Sequence, residues 1–415
     1  MRLSTSQFYQ NNLNHITNKS GQASQQLDKL SSGVRVQTAA DDPVAANSIL
    51  NYKQELNKIA RYQNNINLGE NRLRREESIL TSAENISQQA KELMLKANNG
   101  AYTPQEKAAL ADELNSRIDE LLDLANSRDE FGDYIFAGFQ TDIEPFVRDS
   151  NGSVSYQGDA GQRELAISDN VKVGLNHDGQ LVFGQVPNPK GDFTVDYSGL
   201  EGGVREQGVM VEQAVINDAT NVATAQPYTL TFSGSAGEVK VLVTDGEGNA
   251  LLDKNGDPLT AQPYQPGESI EAGGLSITLT GEAKDKDKII LNANDTGDTG
   301  ERGVFEILNR AKDWLSGEGN TASEQSEYAD ILDELDAVGG HFTRIRADTG
   351  IRLQRLDNQR ETHADMTLTV DKVRGGMEDL DFAQAVGELN QTMVALQATQ
   401  SVFGKLQGMS LFNYI

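Results

Sequence analysis

The sequence predicts an α+β multidomain protein: both chain ends form a long antiparallel helical rod or coiled-coil bundle, and an antiparallel β-rich domain is inserted between them. Three observations predict it. Apolar or small residues near both ends recur in alternating steps of four and three, the spacing of a helix seam. Between about 132 and 300 the period drops to two, and glycine, asparagine, aspartate and proline separate the short runs. The chain has 415 residues, more than the roughly 250 that a single core usually serves.

In the first helix the seam runs Tyr9, Leu13, Ile16, Ser20, Ala23, Leu27 and Leu30, with Asn, Gln, Ser and Thr dominating the other positions. So thin a stripe gives the helix little reason to be stable alone. In a longer second helix, Tyr52, Ile59, Ile66, Leu73, Leu80, Ser87 and Met94 share one heptad position, and Leu56 supports them. The paired position is often polar (Gln63, Glu70, Glu77), so the apolar stripe is narrow and the element reads as a rod. "NNGAYTPQEKAAL" breaks the pattern: Gly100 can leave the helix, Thr103 caps the next one, Pro104 takes its first turn and Glu106 is the capping-box acid. The third helix is expected to run to about Arg128, to bury Leu110, Leu114, Ile118, Leu121, Leu122 and Ala125, and to return antiparallel to its predecessor.

Short strands are expected at "SVSYQG", "RELAIS", "KVGLN", "QLVFG", "DFTVDYSG", "PYTLTFSG", "EVKVLVTD" and "LSITLTG", with one short helix over 209–219. Helical spacing resumes at Val304. A long helix then carries Ile331, Leu335, Val338, Phe342, Ile345, Arg352 and Leu356 until "RGGMEDLD" interrupts it at Gly375 and Gly376. A last helix places Phe382, Val386, Leu389, Met393, Leu396 and Phe403 in four-three steps and continues nearly to Ile415. Sticky helices at both ends can pair with each other or with neighbouring copies, which points to assembly.

Composition excludes several classes. With 62 acidic against 36 basic residues the net charge is -26, so the surface repels nucleic acid and anionic membranes; no nucleic-acid partner and no membrane insertion are expected. The absence of cysteine excludes disulfides, thiolate metal sites and cysteine nucleophiles. The opening "MRLSTSQFYQNNLNHITNKS" has no continuous apolar core of the signal-peptide kind, so the chain is expected to be intracellular or exported by a route that reads something else. His15, His177, His341 and His363 fall in separate elements at no metal-ligand spacing, and ordinary helix-surface or satisfied polar roles are expected. In "DGEGNALLDKNGDP", Asp253, Asn255 and Asp257 alternate like cation ligands, yet Pro258 stands where a tight loop wants glycine and no closing glutamate follows. A hairpin turn is the better reading. No nucleophile elbow, P-loop or dinucleotide fingerprint occurs, and neither enzymatic activity nor a metal or cofactor is expected.

The stretch "SSGVRVQTAADDPVAANSIL" joins the first two helices. Gly33 can end the first by adopting positive φ, and residues 34–38 look extended. Asp41 or Asp42 can cap the second, with Pro43 in its first turn. The acidic pair also complements a helix N-terminus, and a spare carboxylate can meet a neighbour's arginine, for which Arg35, Arg344, Arg346, Arg352 and Arg355 are candidates. The stretch reads as a rigid connector that sets the angle between two long helices.

"LSSGVRVQTAADDPVAA" at 30–46 resembles the N-terminal signature of bacterial flagellins and flagellar hook-associated proteins. "MRLSTSQFYQ", "GDYIFAGFQT" at 132–141, "YQGDAGQRELAIS" at 156–168 and the closing "LQGMSLFNYI" are similar to the hook–filament junction branch of that family, more than to flagellin. The resemblance covers 1–170 and 300–415 well and 190–300 more weakly, where "YQPGESIEAGGLSITLTGEAKDKDKI" resembles an outer-domain segment of some members.

The resemblance implies terminal axial helices at 1–40 and 380–415, a helical rod domain at 41–140 and 301–379, and an outward β-rich domain at 141–300, divisible into two subdomains; the thin, polar-rich terminal seams add the expectation that the axial helices are mobile in the monomer. It implies a structural subunit of the flagellum outside the cell, exported through the flagellar type III apparatus with an export chaperone. Self-association in a ring is implied, with hook-associated protein 1 on the hook side and flagellin on the filament side. Assembly is then expected to rest on Leu27, Leu30, Leu389, Met393, Leu396 and Phe403 of the terminal helices, and on Gly33, Arg35, Asp41, Asp42 and Pro43 of the connector. Flagellin itself and an unrelated coiled-coil surface scaffold or adhesin are the alternatives. The opening "MRLSTSQFYQ" and ending "SLFNYI" disfavour the first, and the connector signature disfavours the second.

Overall fold

The computed structural model describes residues 5–98, 102–200, 208–218, 226–235, 238–253, 256–293, 300–317 and 321–412. Its helices are α1 (Thr5–Ser32), α2 (Pro43–Ala97), α3 (Pro104–Ala125), α4 (Val304–Leu315), α5 (Ala322–Glu378) and α6 (Phe382–Phe412). Between α3 and α4 lie the strands β1 (Phe146–Arg148), β2 (Val154–Tyr156), β3 (Glu164–Ser168), β4 (Val171–Gly174), β5 (Val186–Pro187), β6 (Phe193–Asp196) and β7 (Met210–Ile216). They are followed by β8 (Tyr228–Ser235), β9 (Glu238–Thr244), β10 (Gln262–Pro263), β11 (Ser269–Ala272), β12 (Leu275–Thr280), β13 (Lys288–Ala293) and β14 (Glu301–Arg302). The chain divides into two compact units, Met1–Ile66 with Asp357–Ile415 and Asn67–Leu356, and the divide falls within α2 and within α5.

From Ile59 on, the heptad seam of α2 is buried: Ile59, Ile66, Leu73, Leu80, Ser87 and Met94 are each at most 2% exposed, whereas Tyr52 at its start is half-buried. From Glu76 onward a second row joins it, through Ala83, Ile86, Ala90, Leu93 and Ala97, and the stripe widens. α3 begins with a full capping box: the Thr103 hydroxyl accepts from the Glu106 N–H at 3.3 Å, and the Glu106 carboxylate accepts from the Thr103 N–H at 2.7 Å. It ends at Ala125, three residues short of the expected Arg128, where the Asn126 side chain bonds both backbone groups of Phe146.

The Asn67–Leu356 unit has two cores. In the first, α2, α3, α4 and α5 close on an aromatic cluster centred on Phe183, whose ring lies 5.2–6.0 Å from those of Phe136, Phe146, Phe305 and Phe342. In the second, a five-stranded antiparallel sheet in the order β10-β9-β8-β13-β6 and a three-stranded sheet β11-β12-β7 share an apolar interior. Ion pairs of the buried cations Arg302 and Lys190 link strand-region residues to the helices. Arg302 on β14 and Arg310 on α4 both reach Glu334, at 2.9 and 2.8 Å, and Lys190 reaches Asp333 at 2.7 Å and Asp330 at 3.2 Å. Burial lifts the Asp330 carboxyl to about 6 against the pull of Lys190 and Arg310.

Three local expectations are corrected. Residues 210–216 form the strand β7, not a helix; β12 pairs with it across a bulge that skips Glu212, so Val211 and Ala214 are both buried three residues apart. That three-residue spacing mimics a helical period. "QLVFG" is a π-turn (Gln180–Gly184), not a strand, and the His341 imidazole binds its Leu181 and Val182 carbonyls at 3.0 and 3.1 Å. Gly375 and Gly376 do not interrupt α5, which continues to Glu378; a helical glycine costs only about 1 kcal/mol, and the Asp379 N–H still bonds the Gly375 carbonyl.

Four five-residue turns share the pattern D-x-x-G-x: "DEFGD" (129–133), "DSNGS" (149–153), "DGEGN" (245–249) and "DKNGD" (253–257). In each, the glycine takes φ between 86° and 88°, and the aspartate Oδ1 accepts the N–H four residues on. Asp245 and Asp253 therefore spend a carboxylate oxygen on the backbone, as the hairpin-turn reading expects; Asn255 lies outside the described residues.

Candidate assembly interface

In the Met1–Ile66 and Asp357–Ile415 unit, α1 and α6 lie antiparallel. The Tyr9 and Phe403 rings are 4.7 Å apart at one end, and the Leu380 N–H bonds the Gly33 carbonyl at 2.9 Å at the other. Each four-three seam divides between two directions. Ile16, Ala23 and Leu30 on α1, and Ala385, Leu389, Leu396 and Phe403 on α6, are buried or half-buried, whereas Leu13, Leu27, Val386 and Met393 remain exposed. Val394 and Val402 extend the exposed apolar surface of α6, at 67% and 53%. Of the six terminal-helix residues singled out from the sequence, Leu27 and Met393 thus face solvent and Leu30, Leu389, Leu396 and Phe403 are half-buried.

The α1–α2 connector does not stand alone. Its Val34 pairs antiparallel with Asp379 in the α5–α6 connector, and the Arg35 N–H donates to the Glu378 carbonyl at 2.7 Å. Gly33 adopts φ +72°, with the Phe382 ring 3.6 Å from where a Cβ would stand. The Arg35 guanidinium donates to the Met377 carbonyl at 2.7 Å and to Asp42 at 3.4 Å. Lys53 of α2 pairs with Glu378 at 2.6 Å, and Val36, Ala45 and Ile49 form a small core with Ala46 and Met377. This joining of the two connectors was not visible in either stretch read separately.

The acidic pair divides its work. Asp42 is the cap, its Oδ1 accepting the Ala45 N–H at 3.0 Å with Pro43 opening α2. That bond, with help from Arg35, lowers its carboxyl below the usual range. Asp41 faces backward: it pairs with Lys29 at 2.7 Å and accepts the Thr38 N–H and hydroxyl, both at 2.9 Å. Lys29 first and Thr38 second hold its carboxyl well below the ordinary carboxylate value. Asp381 repeats the capping at α6, accepting from Ala383 and Gln384 at 2.9 and 3.1 Å. Three of the other candidate arginines find partners within Asn67–Leu356: Arg344 meets His341, Arg346 meets Glu84 and Arg352 meets Asp348. Arg355, in the same unit, is exposed.

The arrangement offers apolar helix faces and a locked corner between helices; the described residues contain no group of carboxylates and histidines able to hold a metal ion. No helix among the described residues is long and apolar enough to cross a membrane.

Residues 3–141 match the bacterial flagellin N-terminal helical region. Flagellar hook-associated protein 3 of Escherichia coli K12 is 23% identical over all of this chain and 99% of its own length. The Salmonella typhimurium protein of the same name is 31% identical over 46% of this chain and 61% of its own length. The crystal structure of flagellar hook associated protein-3 from Legionella pneumophila superimposes with a TM-score of 0.64 at 25% identity, covering 78% of this chain and 97% of that one. Flagellins are more distant relatives. From end to end, then, the chain is similar to flagellar hook-associated protein 3, and over residues 3–141 it carries the match to the bacterial flagellin N-terminal helical region.

Proposed function

We infer that the chain is a structural subunit of the bacterial flagellum, located outside the cell where hook meets filament. The end-to-end similarity to flagellar hook-associated protein 3 carries this reading. The outward apolar faces of α1 and α6 support it, because exposed apolar stripes on paired helices favour docking against further helices. Its relatives are structural proteins, and its work is mechanical: to assemble with other flagellar components.

The finer reading is a ring of copies between hook-associated protein 1 and flagellin, reached by type III export with a chaperone. In it 1–40 and 380–415 are axial helices that order fully only on assembly, 41–140 with 301–379 form the rod, and 141–300 face outward. Terminal helices with such thin seams gain from intermolecular packing what their own contacts do not supply against ordering entropy.

Deleting the gene tests the junction reading. Hooks are expected to persist, filaments to be absent, and flagellin to accumulate in the medium. Filaments of normal length in the deletion strain would remove the junction role and favour a bulk filament subunit.

The connector supplies a second test. A D41A/D42A variant is expected to keep nearly unchanged far-UV circular dichroism and normal secretion, yet to swim poorly, because the change acts on the corner where α1, α2, α5 and α6 meet. A small error of angle there is repeated in every copy. Full motility would reduce the pair to an ordinary cap and turn.

A further inference from the structure

His177 follows β4 and is 3% exposed. Its Nδ1 lies 2.8 Å from Glu76 Oε1 on α2, and its Nε2 lies 2.8 Å from Asp348 Oδ2 on α5. Its backbone N–H donates to the same Glu76 oxygen at 3.0 Å. A neutral imidazole has one N–H, and two carboxylate partners require two. Glu76 is itself fully buried and its Oε2 has no hydrogen-bond partner, so the ring and backbone N–H of His177 supply its hydrogen bonds, with the Arg163 guanidinium acting on it electrostatically.

Two of the neighbouring arginines are engaged elsewhere, and the third shares the Asp348 oxygen with His177. On α2, Arg72 pairs with Asp129 at 2.9 Å; before β3, Arg163 pairs with Asp133 at 3.5 Å. On α5, Arg352 pairs with Asp348 at 2.7 Å and donates to the Asn176 carbonyl at 3.1 Å. His341, which straps the following π-turn to α5, differs in kind: its Nε2 meets two carbonyls and its Nδ1 accepts from Arg344, so it is neutral.

We propose that His177 is a proton-held clasp, an imidazolium that fastens the segment 175–179 between α2 and α5, and that the Asn67–Leu356 unit loosens at this segment when the proton leaves. Burial alone would push the His177 pKa down, but the Glu76 hydrogen bond and charge, joined by Asp348, outweigh burial and Arg352 and raise it above the ordinary value. A raised folded-state pKa contributes stability that is complete below the unfolded value of about 6.5 and is lost as pH rises through the folded one. The clasp therefore opens on the alkaline side.

Histidine-selective NMR of the full chain, with amide exchange at 175–179, tests this. His177 is expected to stay an imidazolium past the free-histidine midpoint, and exchange at 175–179 to rise with the same midpoint. D348N removes one carboxylate from the half-exposed side and is expected to lower both midpoints together. H177Q is expected to abolish the pH step in exchange while leaving the π-turn protected by His341. A His177 that titrates at or below the free value, or an exchange step that D348N does not move, would overturn the proposal.

Discussion

Replacing Phe183 with alanine is expected to destabilise the Asn67–Leu356 unit by about 3–5 kcal/mol, the usual range for emptying a core phenylalanine site. The ring is 1% exposed and touches four other phenylalanines drawn from the 134–137 segment, β1, α4 and α5. The site has little freedom to collapse. Its backbone is a π-turn held by His341, and the surrounding rings are fixed on four separate segments, two of them helices. A void left there forfeits dispersion contacts as well as buried area. The same change at Phe131, 68% exposed at a turn tip, is expected to stay within about 0.5 kcal/mol. The chain's single tryptophan, Trp314 on α4, reports the relevant unit: it is buried, its ring 4.9 Å from Tyr328. Urea unfolding followed by its fluorescence should show a lower midpoint for Phe183→Ala with an unchanged slope, and an unmoved midpoint for Phe131→Ala. Equal midpoints in all three proteins would mean that Phe183 does not anchor this core.

The long helices were legible because their buried rows repeat at a period that few other structures produce. Ile59 to Met94 were placed correctly from spacing alone, and the Thr103–Glu106 box is a local device whose partners stand three residues apart. Two of the three misreadings arose where a distant partner overrides the local pattern. A bulge opposite β12 gave β7 a helix-like spacing, and a histidine on α5 holds a strand-like pentapeptide in a π-turn. The junction of the connectors rests on residues more than three hundred positions apart, Val34 with Asp379 and Arg35 with Glu378, for which periodicity carries no signal. The terminal seams show a subtler limit. Spacing identifies Leu389 and Met393 as members of one stripe, but only packing against α1 separates the half-buried residue from the exposed one.

That separation leads to the largest functional effect expected. A V386D/M393D variant should fold, be secreted and retain the α1–α6 pairing, yet fail to hold filament on the hook. Both side chains are nearly half exposed, at 45% and 49%, so the isolated subunit loses little when they become polar. In an assembly that covers this face, each substitution removes apolar burial worth about 1–2 kcal/mol and leaves a carboxylate facing apolar surface. Every copy repeats that loss, so the penalty is multiplied around the structure while the single chain is nearly unaffected. L389D/L396D provides the contrast. These residues are half-buried in the same unit as α1, so helicity and thermal stability of the isolated subunit should fall along with motility. Circular dichroism, secretion and swimming measured on both variants separate the two faces. Normal swimming by V386D/M393D would show that the exposed face of α6 meets no neighbour, and matching losses of helicity in both variants would show that the seam is not divided.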